Sequence, residues 1–155
     1  MEAPQNHIWG PALWMILHSA AERIGMRVLE RLPQEEVRIW TNLLSSLRYS
    51  LPCPLCKKHY TDYFNSHPIY TVAKEEIRNW LYDLHSHVNQ QTGKQANISS
   101  EEAIERYSQP FQYTAYYPVV EKQMIQGVRF GRCARVDLQR TIRCLEEMKR
   151  FYEFF

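Results

Sequence analysis

Apolar residues recur at helical spacing along most of this chain. Between residues 9 and 31, Leu13, Leu17, Ala20, Ala21, Ile24 and Val28 fall on one face, which predicts a single long amphipathic helix. Pro11 suits its first turn, because the N–H that proline lacks would find no partner there. Pro33 interrupts the pattern, and Glu35 and Glu36 then suit a helix start, where negative charge meets the positive end of the helix dipole. This second helix is expected to run to about Tyr49 with Val37, Trp40, Leu44 and Leu47 inward. A third begins among Pro52, Cys53 and Pro54 and ends near Asn65, before Pro68. A fourth spans about Val72 to Gln91 with Ile77, Leu81, Leu84 and Val88 as its stripe, and Gly93 is its natural stop. Ser99-Ser100-Glu101-Glu102 opens a short fifth helix over 99–108.

Beyond Pro110 the period is lost. Residues 111–120 (FQYTAYYPVV) are aromatic and read as loop or extended chain. The helical period returns over 134–152, with Val136, Ile142, Leu145 and Met148 expected inward. The pattern predicts an all-α protein: a four-helix bundle with a short fifth helix in residues 1–110, and a C-terminal helical extension in 111–155, packed on the bundle or at an oligomer interface.

Composition narrows the class. A chain of 155 residues with 45% apolar residues can bury one real core, and only 5 glycines disfavour a turn-rich all-β fold. No run approaches the length needed to cross a bilayer, and the N-terminus MEAPQNHIWG shows no basic segment followed by an apolar run, so a soluble intracellular protein is expected. The net charge of +2 does not point to a polyanionic partner. Residues 129–150 hold seven Arg or Lys against Asp137, Glu146 and Glu147, which reads as a solvated helix face rather than a nucleic-acid surface. Four cysteines (Cys53, Cys56, Cys133 and Cys144) are too few for a disulfide-stapled scaffold.

Cys53-Pro54-Leu55-Cys56 is the main chemical signal. Two intervening residues at a helix start put both sulfurs within bonding reach, and the helix N-terminus with Arg48, Lys57 and Lys58 favours the reactive thiolate. The pair alone leaves two readings open, a redox dithiol or half of a zinc site completed by His59 and His67, although that spacing lies outside the common finger patterns. The surroundings favour the first. Trp14 and His18 lie four residues apart on one helix face; His85 and Asn89 border the stripe of the fourth helix, with Trp80 and His87 on its other side. Such rings and hydrogen-bonding groups suit an aromatic heterocycle, which needs faces to stack on and donors for its edge. No glycine-rich nucleotide loop occurs, so side chains of a helical bundle must hold any nucleotide cofactor. A thioredoxin-like reductase is disfavoured, because no strands alternate with helices before residue 110.

Taken jointly, Trp9-Gly10-Pro11 leading into Trp14-x-x-Leu17-His18, then Pro52-Cys53-Pro54-Leu55-Cys56, then Trp80-Leu81, Leu84-His85-x-His87-Val88-Asn89 and Gly93-Lys94, resemble the Erv/ALR family of FAD-dependent sulfhydryl oxidases over roughly residues 6–108. The small members from large cytoplasmic DNA viruses, such as iridoviruses, look most similar. The resemblance implies that the bundle holds FAD. Cys56 would lie against the flavin, and Cys53 would exchange with incoming thiols. Gly10, Pro11, Trp14 and His18 would contact the cofactor from the first helix and Trp80, His85, His87, Val88 and Asn89 from the fourth. Lys94 would lie near the phosphates, and Tyr107 stands where the family usually has a packing Trp. It further implies thiol-bearing proteins or a small redox relay protein as substrates, oxygen as acceptor with release of hydrogen peroxide, and a homodimer. The expected place of action is host cytoplasm, virus factory or virion for a viral chain, or the mitochondrial intermembrane space for a cellular one. Two departures stand out. The family's His-Asn pair reads His85-Ser86, and the second disulfide of many cellular members has no cysteines here, with Phe64 or Asn65 and the Ile98–Ser99 region in their place. The zinc-binding helical interaction module is the alternative without enzymatic activity.

Cys133 and Cys144 have two readings. They form a shuttle pair relaying electrons to Cys53, or they are two unpaired, partly buried thiols. On one straight helix they would lie about 16 Å apart. A disulfide needs Cα atoms within about 7 Å, so pairing requires Cys133 to precede the helix and fold back.

Overall fold

The computed structural model describes residues 2–26, 33–94 and 98–155. The described residues form α1 (Asn6–Ala21), α2 (Pro33–Ser50), α3 (Pro54–Ser66), α4 (Lys74–Thr92), α5 (Ser100–Tyr107), a 3-10 turn at Tyr113–Ala115, α6 (Tyr117–Arg129) and α7 (Arg135–Tyr152), with no strand among them. The fold is all-α, as the hydrophobic period predicts. Two of the expected boundaries rest on visible chemistry. Ser99 caps α5 by accepting from the Glu102 N–H at 3.2 Å, and Gly93 ends α4 with φ of 71°, a left-handed backbone that suits glycine.

α1 differs from expectation at its far end. It stops at Ala21, and the chain turns through 22–26 with Gly25 at φ of 84°. Ile24 is still buried, but from a turn rather than a continuing helix; Val28 lies outside the described residues. The larger correction concerns the end of 111–120, expected to be loop or extended: 111–116 is loop around a 3-10 turn, but 117–120 is the start of α6. Pro118 sits in the first turn of α6, where its missing N–H costs nothing, and Val120 and Met124 carry a helical stripe into the core. Val37 and Val136, both expected inward, are 44% and 61% exposed. The inner face of α7 is set by Leu138, Thr141, Leu145 and Met148, which leaves Val136 on the outer side. On α2, Glu36 takes the inward position beside Val37 because its carboxylate accepts hydrogen bonds from the Tyr152 hydroxyl at 2.6 Å and the Gly25 N–H at 3.2 Å.

The core lies between α1, α2 and α4, where Ile16, Leu17, Ile39, Trp40, Leu43, Leu44, Leu47, Ile77 and Leu81 are sealed from solvent. Residues 111–155 complete it. α6 packs along α1 and α7 along α2. Buried polar groups tie these contacts down: the Trp40 indole N–H donates to the Tyr152 hydroxyl at 2.8 Å, and the Thr141 hydroxyl meets those of Ser46 and Ser50 at 2.8 and 2.6 Å. Tyr113, also buried, donates to the Leu145 carbonyl at 2.8 Å. Near Ile98, where some relatives of the resembled family place a cysteine, the Tyr82 hydroxyl instead donates to the Ile98 carbonyl at 2.8 Å.

Candidate functional site

The start of α3 builds the dithiol. Cys53 adopts an extended backbone as the N-cap residue, Pro54 follows in the first turn, and the Cys53 sulfur accepts from the Cys56 N–H at 3.1 Å. Cys53 and Cys56 are joined as a disulfide with Cα atoms 5.1 Å apart, and both are half-buried. When the bond is reduced, the partial positive charge of the helix start stabilises thiolate there.

The pair opens on a cavity of about 200 Å³ between the first four helices. From α1 it is lined by Gly10, Leu13, Trp14 and Leu17, and from α4 and its cap by Leu84, Val88 and Lys94. A Cβ at Gly10 would meet no protein atom within 4 Å, so glycine there keeps open a space that the chain's own side chains leave unfilled. The wall is apolar, with two sulfurs on one side and a lysine at the rim. That set fits a planar, electron-accepting ring attached to an anionic tail.

Beyond Trp14 lies a stack of four rings drawn from α1, α4 and α5. Trp14 and His85 lie face to face with centroids 4.1 Å apart, His18 and Tyr107 at 4.6 Å, and the two imidazoles meet through His18 Nε2 and His85 Nδ1 at 3.2 Å. Arg23 fixes the end of α5 by donating to the Tyr107 carbonyl and, at 2.6 Å, to that of Gln109. Burial, with the neighbouring His85, pushes the His18 imidazole down to about 3; burial, with Lys94, pushes His85 down to about 4. At neutral pH both rings are uncharged, so one ring N–H donates to the other ring's lone pair.

A pH dependence follows. Unfolded imidazoles titrate near 6.5, so below that pH the unfolded chain binds protons that the folded chain refuses, and stability falls as pH falls. From about pH 7 to about pH 5 the expected loss from His18 is ~1–2 kcal/mol. Urea unfolding across that range measures it, and the slope should shrink in His18→Gln.

The expected site residues divide into those the structure gathers and those it does not. Gly10, Trp14, Cys56, Val88 and Lys94 line the cavity, and His18, His85 and Tyr107 join it through the ring stack. Pro11 is exposed on α1 and does not line the cavity. Asn89 is buried one residue beyond Val88, and its carbonyl accepts from the Lys94 N–H at 2.9 Å. Trp80 and His87 sit against Tyr63 on another side of α4, with the Trp80 indole donating to the His67 carbonyl at 2.7 Å. Of the zinc candidates, His59 lines the cavity with the two cysteines but His67 stacks on Tyr63 at 4.0 Å, and among the described residues no three His, Cys, Asp or Glu side chains converge as a metal site.

Asn6, Gln91 and Thr92 also line the cavity and were not picked out from the sequence, and Trp9, noted there only as part of a motif, lines it too. Asn6 lies one helical turn before Gly10 and Thr92 one turn after Val88, so extending each face by a turn would have found them. Cys133 and Cys144 are free thiols, the first half-buried before α7 and the second buried within it. Burial raises the pKa of both, opposed at Cys133 by Lys57.

Comparison with known proteins gives one family and a set of relatives. The model of the Erv1 / Alr family matches residues 11–108. A protein of Acanthamoeba polyphaga mimivirus, named as a FAD-linked sulfhydryl oxidase, is 31% identical over 70% of this chain and 76% of its own length. A protein of Invertebrate iridescent virus 3 with the same activity in its name is 28% identical over 67% of this chain and 68% of its own. A FAD-linked sulfhydryl oxidase of Arabidopsis thaliana is 28% identical over 55% of this chain and 42% of its own. No solved structure matches the chain.

Proposed function

The chain belongs to the Erv1 / Alr family, and on that premise we propose that it is a FAD-linked sulfhydryl oxidase, forming disulfides in thiol-bearing proteins and passing the electrons to oxygen. The observation that carries this reading is the opening of the Cys53–Cys56 disulfide onto an apolar, ring-lined cavity with a lysine at its rim.

The chain's own residues set the thiol chemistry. A substrate thiolate attacks Cys53, the Cys53–Cys56 bond breaks, and Cys56 leaves as thiolate at the cavity wall. The substrate's second thiol then attacks its own sulfur in the mixed disulfide. The oxidised substrate departs, and two electrons stay on Cys53 and Cys56. The helix start stabilises each thiolate as it forms. Gly10, Trp14, Val88 and Cys56 are the residues to hold a flavin ring, Lys94 to meet its phosphates, and His18, His85 and Tyr107 to face the remainder. Bound flavin supplies two-electron acceptance from the dithiol and its return to oxygen as hydrogen peroxide. The chain's part is position and exclusion of water.

Residues 1–110 carry the proposed oxidase unit and 111–155 complete its core. A dimer, as the resemblance implies, would use a surface other than the sides of α1 and α2 that α6 and α7 already cover. The proposed place of action is host cytoplasm, virus factory or virion for a viral chain, or the mitochondrial intermembrane space for a cellular one. Purified protein given reduced dithiothreitol should consume oxygen and release one peroxide per disulfide formed. Absence of oxygen uptake from a yellow, folded protein refutes the proposal.

A further inference from the structure

We propose that Asn6 is a positioning residue for the Cys53 thiolate, held in place by the hairpin of α6 and α7; this rests on the oxidase reading of the Cys53–Cys56 pair. Asn6 opens α1, and its side-chain Nδ2 donates to the Cys53 sulfur at 3.6 Å. The orientation of that amide is determined by its other neighbour. The Trp9 indole N–H contacts Asn6 Oδ1 at 3.1 Å, and an indole nitrogen can only donate. The oxygen must therefore face Trp9, which leaves the NH₂ group turned to the sulfur. With the Cys56 N–H at 3.1 Å, Cys53 has two donors from two separate helices. Donors to sulfur favour the thiolate over the neutral thiol.

The C-terminal hairpin fixes the segment that carries Asn6. The Gln5 N–H donates to the side-chain oxygen of Gln123, a buried residue of α6, at 2.7 Å. One nitrogen of the Arg132 guanidinium reaches both the Pro4 and Pro52 carbonyls at 3.3 Å. A single cation thus ties the chain just before Asn6 to the residue just before Cys53. Lys57, next to Cys56, donates to the Arg132 carbonyl. Gly127 of α6 lies so close to the same turn that a Cβ there would come within 2.8 Å of the Pro52 side chain. Residues 111–155, left without a role by the family match, so brace both partners of the Asn6–Cys53 contact.

The step affected is resolution of the mixed disulfide. The substrate's second thiolate attacks the substrate sulfur bonded to Cys53, that S–S bond breaks, and Cys53 leaves with the electron pair as thiolate. Exchange is faster when the leaving thiol is more acidic, so the Asn6 donor assists departure.

The test is the pH dependence of Cys53 alkylation by iodoacetamide in the reduced full-length chain, resolved from Cys56 by mass spectrometry. Asn6 is exposed, so the effect is modest: Asn6→Ala should move the Cys53 midpoint up by about half a pH unit, roughly threefold less thiolate below it. Asn6→Asp should move it further, because a negative charge replaces the donor. Arg132→Ala should give a smaller shift of the same sign. Unchanged midpoints in Asn6→Ala and Asn6→Asp, with native circular dichroism, overturn the proposal; if one variant does not fold, the other decides. Alkylation needs no flavin, so failure of the wild type to consume oxygen removes the oxidase reading and leaves the Asn6 result interpretable by itself.

Discussion

Cys53→Ser should reduce thiol-driven oxygen uptake by at least about a thousandfold while leaving the protein folded and yellow. The substitution separates chemistry from structure unusually well at this position. Cys53 is the N-cap of α3, and its sulfur accepts from the Cys56 N–H. Serine is among the best N-cap residues, so its hydroxyl can take over that hydrogen bond and the helix start survives. It cannot form a disulfide or exchange with a thiol. Cys56 would remain at the wall of the cavity, where the helix start favours its thiolate, and a long-wavelength charge-transfer band would be the expected signature. Oxygen electrode traces with dithiothreitol, together with the visible spectrum, check both halves. Normal turnover would show that the role assigned to Cys53 is wrong.

Deleting residues 111–155 should prevent the remaining chain from folding cooperatively. α7 packs on α2, so removal strips Trp40 and Glu36 of the Tyr152 hydroxyl, leaves Ser46 and Ser50 without Thr141, and uncovers the apolar face of α2 around them. Loss of α6 uncovers α1. Each large apolar side chain left in water forfeits about 1.5–3 kcal/mol, and several such losses match the ~5–15 kcal/mol that holds a domain together. The expected product is aggregated or molten, without a sharp thermal transition. A soluble fragment 1–110 that unfolds cooperatively would show that the extension is dispensable.

The hydrophobic period made α2, α4 and α7 legible, because their inward residues repeat at helical spacing, while the start signature at Ser99 marked α5 and Gly93 the end of α4. The start of α3 was legible for the same reason, and the proximity of Cys53 to Cys56 with it. α6 was hidden by its composition. Aromatic and β-branched residues suit extended chain, and only their packing against α1 and α7 selects helix. The inward turn of Glu36 was also hidden, since its partner Tyr152 lies 116 residues away. In the site, the gathering of Trp14, His18, His85 and Tyr107 could be argued from their places on three helices and a family pattern. The placing of Trp80 and His87 on the other side of the stripe from His85 and Asn89 was also legible; that this side packs against Tyr63 rather than lining the cavity was not. The Asn6–Cys53 contact spans 47 residues and depends on a hairpin whose packing on the bundle the sequence left open against an oligomer interface.

Anaerobic titration of the purified protein with a reduced dithiol tests the central claim most directly. The flavin absorbance should bleach in proportion to dithiol added, only with both Cys53 and Cys56 intact, and should recover when air is admitted. A flavin that stays oxidised while the Cys53–Cys56 bond is fully reduced would contradict electron transfer from this pair.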